Sequence, residues 1–346
     1  FVAGKVNRGR LLTLLPMACA IQTDGVIGNF KKKMLEKHTL DAVFSFPAEM
    51  FYPGASAVAC CMVFDLGKPH KNGKETFFGY FKDDGFEKRK GVGRVDVRDK
   101  WKTIEKEWLD LYEHRTTMAG KSVCRHVEAN EEWCAEAYME TDYSTLCDDD
   151  FIRKMRDYAA FLVACSNPFK DFCFTTRPLS PNKLQLNTKV WQWFRYDKLF
   201  KITGSKTTPK IELEEYGTGM FPYVTTQAVN NGIENFYDYY TEFGNVLTVD
   251  SAVLGFCSYQ KDNFSASDHV EKLNPLFNMN KYHALFLVTI INMEQYRYSY
   301  GRKCSQKKLK ISRLKLPATK NAQGEYEPDW QWMEDYIKGL PYSKCL

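Results

Sequence analysis

The run Leu11-Leu12-Thr13-Leu14-Leu15-Pro16, followed by residues 25–37 and then by Leu40-Asp41-Ala42-Val43-Phe44-Ser45-Phe46, decides the architecture of the first part of the chain. The first and third pieces are short apolar runs and read as strands. Between them Val26, Ile27, Phe30, Met34 and Leu35 recur at helical spacing, with Lys31, Lys32 and Lys33 expected on the solvent side. Strand, helix, strand is a crossover unit, and its natural product is a parallel sheet. Two more strands, over 58–66 and 76–82, complete an α/β region that ends near Arg98.

Beyond this region the texture changes twice. Residues 100–115 carry Trp101, Ile104, Trp108, Leu111 and Tyr112 close to a 3.6-residue period, and Asp148-Asp149-Asp150 precedes a second helix over 151–165. Acidic residues at that end suit the helix dipole. Pro168, Pro178 and Pro181, with Ser166, Ser180 and Asn182, mark a linker near 166–188. From Thr188 onward short β-like runs alternate with Gly and Asn turns, as expected of an irregular sheet domain. One helix stands out there, 280–294, apolar almost all round at Ala284, Leu285, Phe286, Leu287, Val288, Ile290 and Ile291 and therefore expected to be buried. The chain thus divides into 1–98, an α/β part; 99–187, a helical connector and linker; and 188–346, an α+β, mostly β domain.

Composition narrows the function classes. With 346 residues, 44% apolar and 26% charged, the chain should fold as more than one domain. A net charge of +5 is modest, so its distribution matters more than its size. Eleven cysteines show no C-x-x-C pair, and an odd number at irregular spacing is neither a disulfide framework nor a zinc site. Buried thiols in a reducing cytoplasm are the simpler account. No run approaches the ~20 apolar residues of a membrane helix. The first residue is Phe1, and a strand begins within ten residues, so the start reads as a cut through a larger protein.

Two features bear on binding. Between Tyr296 and Leu316 lie Arg297, Arg302, Lys303, Lys307, Lys308, Lys310, Arg313 and Lys315 and no acidic residue, with Tyr296, Tyr298 and Tyr300 interleaved before Gly301. Cations for phosphates, a turn glycine and aromatic rings are the ingredients of a nucleic-acid surface; a solvated basic face is the plainer alternative. The second is the polar loop Thr225-Thr226-Gln227 with Asn230-Asn231-Gly232. Carboxamides can pair bidentately with adenine, although Asn-Gly is also an ordinary turn.

The order of these runs resembles a known pattern. Gly219-Met220-Phe221-Pro222-Tyr223-Val224-Thr225-Thr226, Asn230-Asn231-Gly232, Gly244-Asn245-Val246-Leu247-Thr248-Val249, Tyr259-Gln260-Lys261-Asp262-Asn263-Phe264, Tyr300-Gly301-Arg302-Lys303 and Leu314-Lys315-Leu316-Pro317 resemble the target-recognition domain of type I specificity subunits and their fused type II relatives. The resemblance covers about 188–346 and implies loops that enter the DNA major groove. Leu11 to Pro16, Leu35-Glu36-Lys37-His38-Thr39-Leu40-Asp41-Ala42-Val43, Ser45-Phe46-Pro47-Ala48-Glu49-Met50-Phe51-Tyr52-Pro53 and Phe78-Gly79-Tyr80-Phe81-Lys82-Asp83-Asp84-Gly85-Phe86 resemble the last strands of an adenine-N6 DNA methyltransferase of the modification-subunit type. That likeness implies a partial Rossmann-like methyltransferase sheet and, for the complete enzyme, S-adenosylmethionine.

The motifs that carry methyl transfer are missing. No aromatic-x-Gly-x-Gly loop follows a strand of the first part, and Tyr216-Gly217-Thr218-Gly219 has the letters in the wrong place. Ser166-Asn167-Pro168-Phe169 is the nearest text to the catalytic Asn/Asp-Pro-Pro-aromatic motif that stacks on a flipped adenine, but it has one proline and falls in the linker. Asp83-Asp84 before Gly85 reads as a turn rather than a metal pair. The expectation is therefore a chain that reads DNA and binds no cofactor or metal by itself. Arg302, Lys303, Lys307 and Lys308 are assigned to phosphates, and Thr225, Gln227, Asn230 and Asn231 to bases. Its partners would be double-stranded DNA and a methyltransferase or restriction subunit, with no membrane. A specificity subunit without catalysis, docking a separate methyltransferase subunit, is the other reading.

Overall fold

The computed structural model describes residues 8–54, 57–165, 175–252 and 254–346. The chain forms two compact units, one of Phe1–Asp142 with Tyr300–Arg302, the other of Tyr143–Ser299 with Lys303–Leu346. This differs from a division at 98 and 187, because the expected connector is shared out: its first half completes the first unit and its second half enters the core of the second.

The first unit runs β1 (Gly9–Pro16), α1 (Ala18–Ile21), α2 (Gly25–Lys37), β2 (Thr39–Ser45), β3 (Ala59–Leu66), β4 (Glu75–Tyr80), the hairpin β5 (Glu87–Arg89) and β6 (Gly93–Val95), α3 (Trp101–Glu113), β7 (Ser122–His126) and α4 (Ala135–Tyr138). Its main sheet has the order β1-β3-β2-β4-β7. The crossover expectation needs correction. β1 and β2 do run the same way, but β3 lies between them and is antiparallel to both, and β2 with β4 is the parallel pair. Burial explains this. β3 is buried at almost every residue and needs a neighbour on each edge, whereas β1 leaves Leu12 and Leu14 exposed, as an outer strand can. Helix α3 lays Trp108, Leu111 and Tyr112 against Phe44 and Phe77. Its end is pinned by the buried Asp41 carboxylate, which accepts from Arg115 Nη2 at 2.7 Å and from the Tyr112 hydroxyl at 2.5 Å. Burial alone would raise the Asp41 pKa, but Arg115, Tyr112 and Arg10 override it and hold the group below the usual carboxylate value.

Helix α2 presents another correction. Lys31, assigned to solvent, is 2% exposed, while Val26 and Phe30 face out. The inner stripe is Ile27, Lys31, Met34 and Leu35, and the Lys31 ammonium donates to the Ala20 carbonyl at 2.6 Å and the Glu131 carbonyl at 3.0 Å above the Trp133 ring. Desolvation pulls its pKa down to about 8. A lysine stem is long enough to serve as core if its head finds oxygens. Asp84 is likewise structural: it is buried and takes a two-pronged bond from Arg94 at 2.7 and 2.6 Å.

The second unit begins with α5 (Asp148–Cys165), whose acidic triplet forms its first turn. There follow β8 (Gln192–Arg195), α6 (Tyr196–Leu199), β9 (Phe200–Gly204), α7 (Lys210–Glu214), β10 (Phe221–Val224), β11 (Ile233–Tyr237), β12 (Val246–Asp250), β13 (Cys257–Gln260), β14 (Ser265–Ala266), β15 (Val270–Pro275), α8 (Lys281–Met293), α9 (Gln306–Ile311), β16 (Arg313–Leu316), β17 (Ala318–Lys320), β18 (Tyr326–Pro328) and α10 (Trp330–Lys338). The strands form several small sheets: β13-β12-β15-β9, β11-β10-β14, β16-β8 and β17-β18. The apolar helix α8 is buried along His283 to Ile291, as its all-round pattern requires. Asn280 caps it, accepting from the Tyr282 and His283 amides, while His283 Nδ1 accepts from the Asn280 amide. Phe286 is the centre of the core, ringed by Phe151 of α5, Trp191, Trp332 and Tyr336. Among the described residues no helix is long and apolar enough to cross a membrane.

Candidate nucleic-acid interface

The polar loop between β10 and β11 is held from within. Asn230 and Asn231 have φ of 52° and 54°, successive left-handed residues that Asn tolerates better than most side chains. The Asn230 amide donates to the Ile233 carbonyl at 2.8 Å, and the Gln227 amide donates to the same oxygen. Asn231 Nδ2 donates to the Tyr259 carbonyl at 2.8 Å, so it ties the turn to β13. Gly232 completes the turn at φ 77°, where a Cβ would sit 3.1 Å from Ser258 Oγ. Three of the four residues assigned to bases therefore spend one amide N–H on a backbone carbonyl, two on Ile233 at the start of β11 and one on Tyr259 of β13, and each carboxamide keeps its oxygen and a second N–H. Thr225 is half-buried, and its backbone amide donates to the Gly232 carbonyl at 2.8 Å, closing the loop.

The basic stretch is sorted by burial. Arg302 is 6% exposed and donates through Nη2 and Nε to Glu132 Oε2 at 2.7 and 3.2 Å, within the first unit. Its assignment to phosphate is corrected: a guanidinium locked on a carboxylate in the interior is a structural ion pair. Arg297 is half-buried and paired with the buried Glu294, and Tyr298 is buried, while Tyr300 is 79% exposed. Lys303, Lys307, Lys310 and Arg313 face solvent and have no carboxylate partner among the described residues. Lys308 is half-buried on α9, where its backbone amide is capped by Ser305 Oγ. Lys310 and Arg313 thus belong with Lys303 and Lys307, a grouping that needs the helix and strand boundaries to be seen.

Both features adjoin one sheet. Asn231 reaches β13, and α9 packs on β9 with Gln306 beside Gly204; these are the outer strands of β13-β12-β15-β9. Outer strands of a four-stranded sheet are about 14 Å apart, comparable with the major groove's width of about 12 Å. The arrangement offers carboxamide edges on one flank and exposed cations on the other.

Sequence reasoning missed Gln260. It is 2% exposed, and its Nε2 lies 3.1 Å from the Asn231 carbonyl, 3.1 Å from Thr248 Oγ1 and 3.0 Å from Ser258 Oγ. The signal was present as Ser258 and Gln260, two polar residues on one face of a buried strand beside Thr248 across the ladder.

The run Tyr216-Gly217-Thr218-Gly219 lies between α7 and β10 rather than after a strand. At Gly219 a Cβ would lie 2.3 Å from Asp238 Cα, so the chain's own backbone fills the space over that glycine, whereas a Cβ at Gly217 would meet nothing within 4 Å. The segment Ser166-Asn167-Pro168-Phe169 lies outside the described residues. Among the described residues no group of His, Cys, Asp and Glu is placed to hold a metal.

Comparison with known proteins places this geometry in context. Residues 188–340 match the model of the type I restriction modification DNA specificity domain. The specificity subunit S.BcgI of a type II restriction enzyme from Heyndrickxia coagulans is 29% identical over 153 residues, 42% of each chain. The type II restriction enzyme and methyltransferase RM.BcgI of the same organism is 27% identical over 167 residues, 48% of this chain and 26% of that one. The chain therefore spans less than half the length of these curated relatives. Among solved structures, the HsdS subunit from Thermoanaerobacter tengcongensis superposes with a TM-score of 0.32 at 12% identity, over 55% of this chain and 43% of that one. The segment from 188 to 340 is thus similar to the type I restriction modification DNA specificity domain.

Proposed function

We propose that this chain is a DNA-reading component of a restriction-modification system, with the second unit in contact with the duplex. The observation that supports this most directly is the placing of the polar loop and the basic helix α9 beside the two outer strands of one sheet. Lys303, Lys307, Lys310 and Arg313 would neutralise phosphates and set the register without reading sequence. The loop would read bases: Gln227, Asn230 and Asn231 each retain a carbonyl acceptor and one N–H, the pair that a carboxamide turns to adenine. Thr225 adds a hydroxyl at the root of the loop. We place the reacting chemistry on other residues, because the run over 216–219 follows α7 rather than a strand and its Gly219 is backed by Asp238. We read the first unit as the methyltransferase-like part of an adenine-N6 DNA methylation system that uses S-adenosylmethionine, its active site completed elsewhere. The match to a free-standing specificity subunit supports the second reading, a non-catalytic subunit that docks a methyltransferase subunit.

Titration of a fluorescent duplex at several salt concentrations tests the binding, with log K expected to fall by about 0.9 per neutralised phosphate for each tenfold rise in salt. Selection from a randomised duplex pool tests the reading, with a single enriched motif expected. Salt-independent or absent binding refutes the proposal, and transfer of a labelled methyl group to DNA by this chain alone refutes its non-catalytic part.

A further inference from the structure

The buried carboxamide of Gln260 is more than core. A side chain with two N–H groups, buried to 2% exposure, is costly unless its donors are used, and here three oxygens stand within 3.1 Å of Nε2. Two of them, Thr248 Oγ1 and Ser258 Oγ, are themselves 2.9 Å apart and buried, facing each other across the β12–β13 ladder. The third is the carbonyl of Asn231, at the tip of the loop rather than in the sheet. From the same residue, Asn231 Nδ2 returns to the Tyr259 carbonyl, so the turn is bolted to β13 by one bond in each direction. Gly232 presses against Ser258, and Tyr259 donates its hydroxyl to Asn245 Oδ1 at 3.0 Å, which fixes the strand that carries the bolts. A solvated Asn-Gly turn would need none of this.

We propose that Gln260, with Thr248 and Ser258 behind it, is a positioning residue for sequence reading: it holds the 225–232 loop in one conformation before DNA arrives. This rests on the DNA-reading role of that loop. A loop already ordered loses less entropy on binding, and a carboxamide fixed in direction discriminates bases that a wandering one would not. Loss of the bolt should therefore reduce discrimination between sequences while leaving non-specific, phosphate-driven affinity alone.

The test compares wild type with Gln260→Met, which keeps the side chain's length and removes its donors, and with Ser258→Ala, which removes one of the oxygens that hold the carboxamide and alters no residue assigned to bases. The motif enriched from a random duplex pool supplies the cognate probe, and a one-base variant of it supplies the competitor. Expected for both variants is about a tenfold loss in the cognate-to-competitor affinity ratio, an unchanged salt slope on competitor DNA, and faster amide exchange across 225–233 in the unbound protein. An undiminished ratio in a variant that remains folded overturns the proposal and leaves the DNA-reading role standing. If Gln260→Met does not fold, the Ser258→Ala result decides in the same way. Failure of the wild type to enrich any motif overturns the DNA-reading role and the positioning role with it, and amide exchange then reports on the loop alone.

Discussion

The polar loop 225–232 and the basic stretch 296–316 looked alike as sequence, each a cluster of binding chemistry with a bland alternative. Folding treated them differently. The loop was kept together: its side-chain amides donate to the Ile233 carbonyl of β11 and the Tyr259 carbonyl of β13, so its members are tied to the same pair of strands. The basic stretch was split: Arg297 and Arg302 went inside to meet Glu294 and Glu132, and Lys303, Lys307, Lys310 and Arg313 stayed in water. A charge is useful to a phosphate only when no carboxylate already holds it, whereas an amide can be useful to a base because part of it is already held. Cations are thus selected by their exposure, and the loop's carboxamides by the bonds that fix their direction.

The sharpest way to break that comparison is to treat the two neighbours Arg302 and Lys303 alike. Arg302→Ala leaves Glu132 buried without its charge partner and should cost about 3–5 kcal/mol of stability, read by urea unfolding, with DNA affinity of the folded fraction unchanged. A fall in affinity without loss of stability would return Arg302 to the phosphate set. The triple variant Lys303→Gln, Lys307→Gln, Lys310→Gln should do the opposite: unchanged unfolding, affinity down about a hundredfold for every sequence, and a salt slope shallower by about 0.9 per lysine.

A smaller effect separates a buried cation from exposed ones by pH. Unfolded Lys31 keeps its proton to about pH 10.5, and the folded one to about 8, so between these values folding releases a proton and stability rises with pH. The gain should approach about 3 kcal/mol at most and should vanish in Lys31→Met, measured as the difference between the two proteins' unfolding free energies from pH 7 to 10. Equal pH dependence would mean that Lys31 is neither buried nor desolvated. The smallest change is expected of Gln227→Ala, which should relax preference at one base pair by about 1 kcal/mol without moving the salt slope.

Much of this was legible beforehand. Apolar periodicity located α3, the acidic triplet pointed to α5, and the almost uninterrupted apolar surface of α8 told that it would be buried. Local patterns did less well where a partner distant in sequence decides. The helix pattern put Lys31 in water, yet two carbonyls and Trp133 are waiting for it more than ten residues away on one side and about a hundred on the other. The strand-helix-strand pattern gave the directions of β1 and β2 correctly, but the insertion of β3 between them follows from its burial on both faces. The connector looked separate because helices read the same whether they bridge domains or complete them.

The amino-acid sequence by itself determined the chemistry on offer: a specificity-domain pattern from 188 onward, a polar loop and a run of cations. These are local properties, set by residue type and spacing. Which groups remain for DNA was decided only by tertiary structure, since the fate of a charge or an amide depends on the oxygen or nitrogen that the fold brings to it. Glu132 reaches Arg302 across 170 positions of chain and Gln260 reaches Asn231 across 29, and no window of local sequence contains either pair.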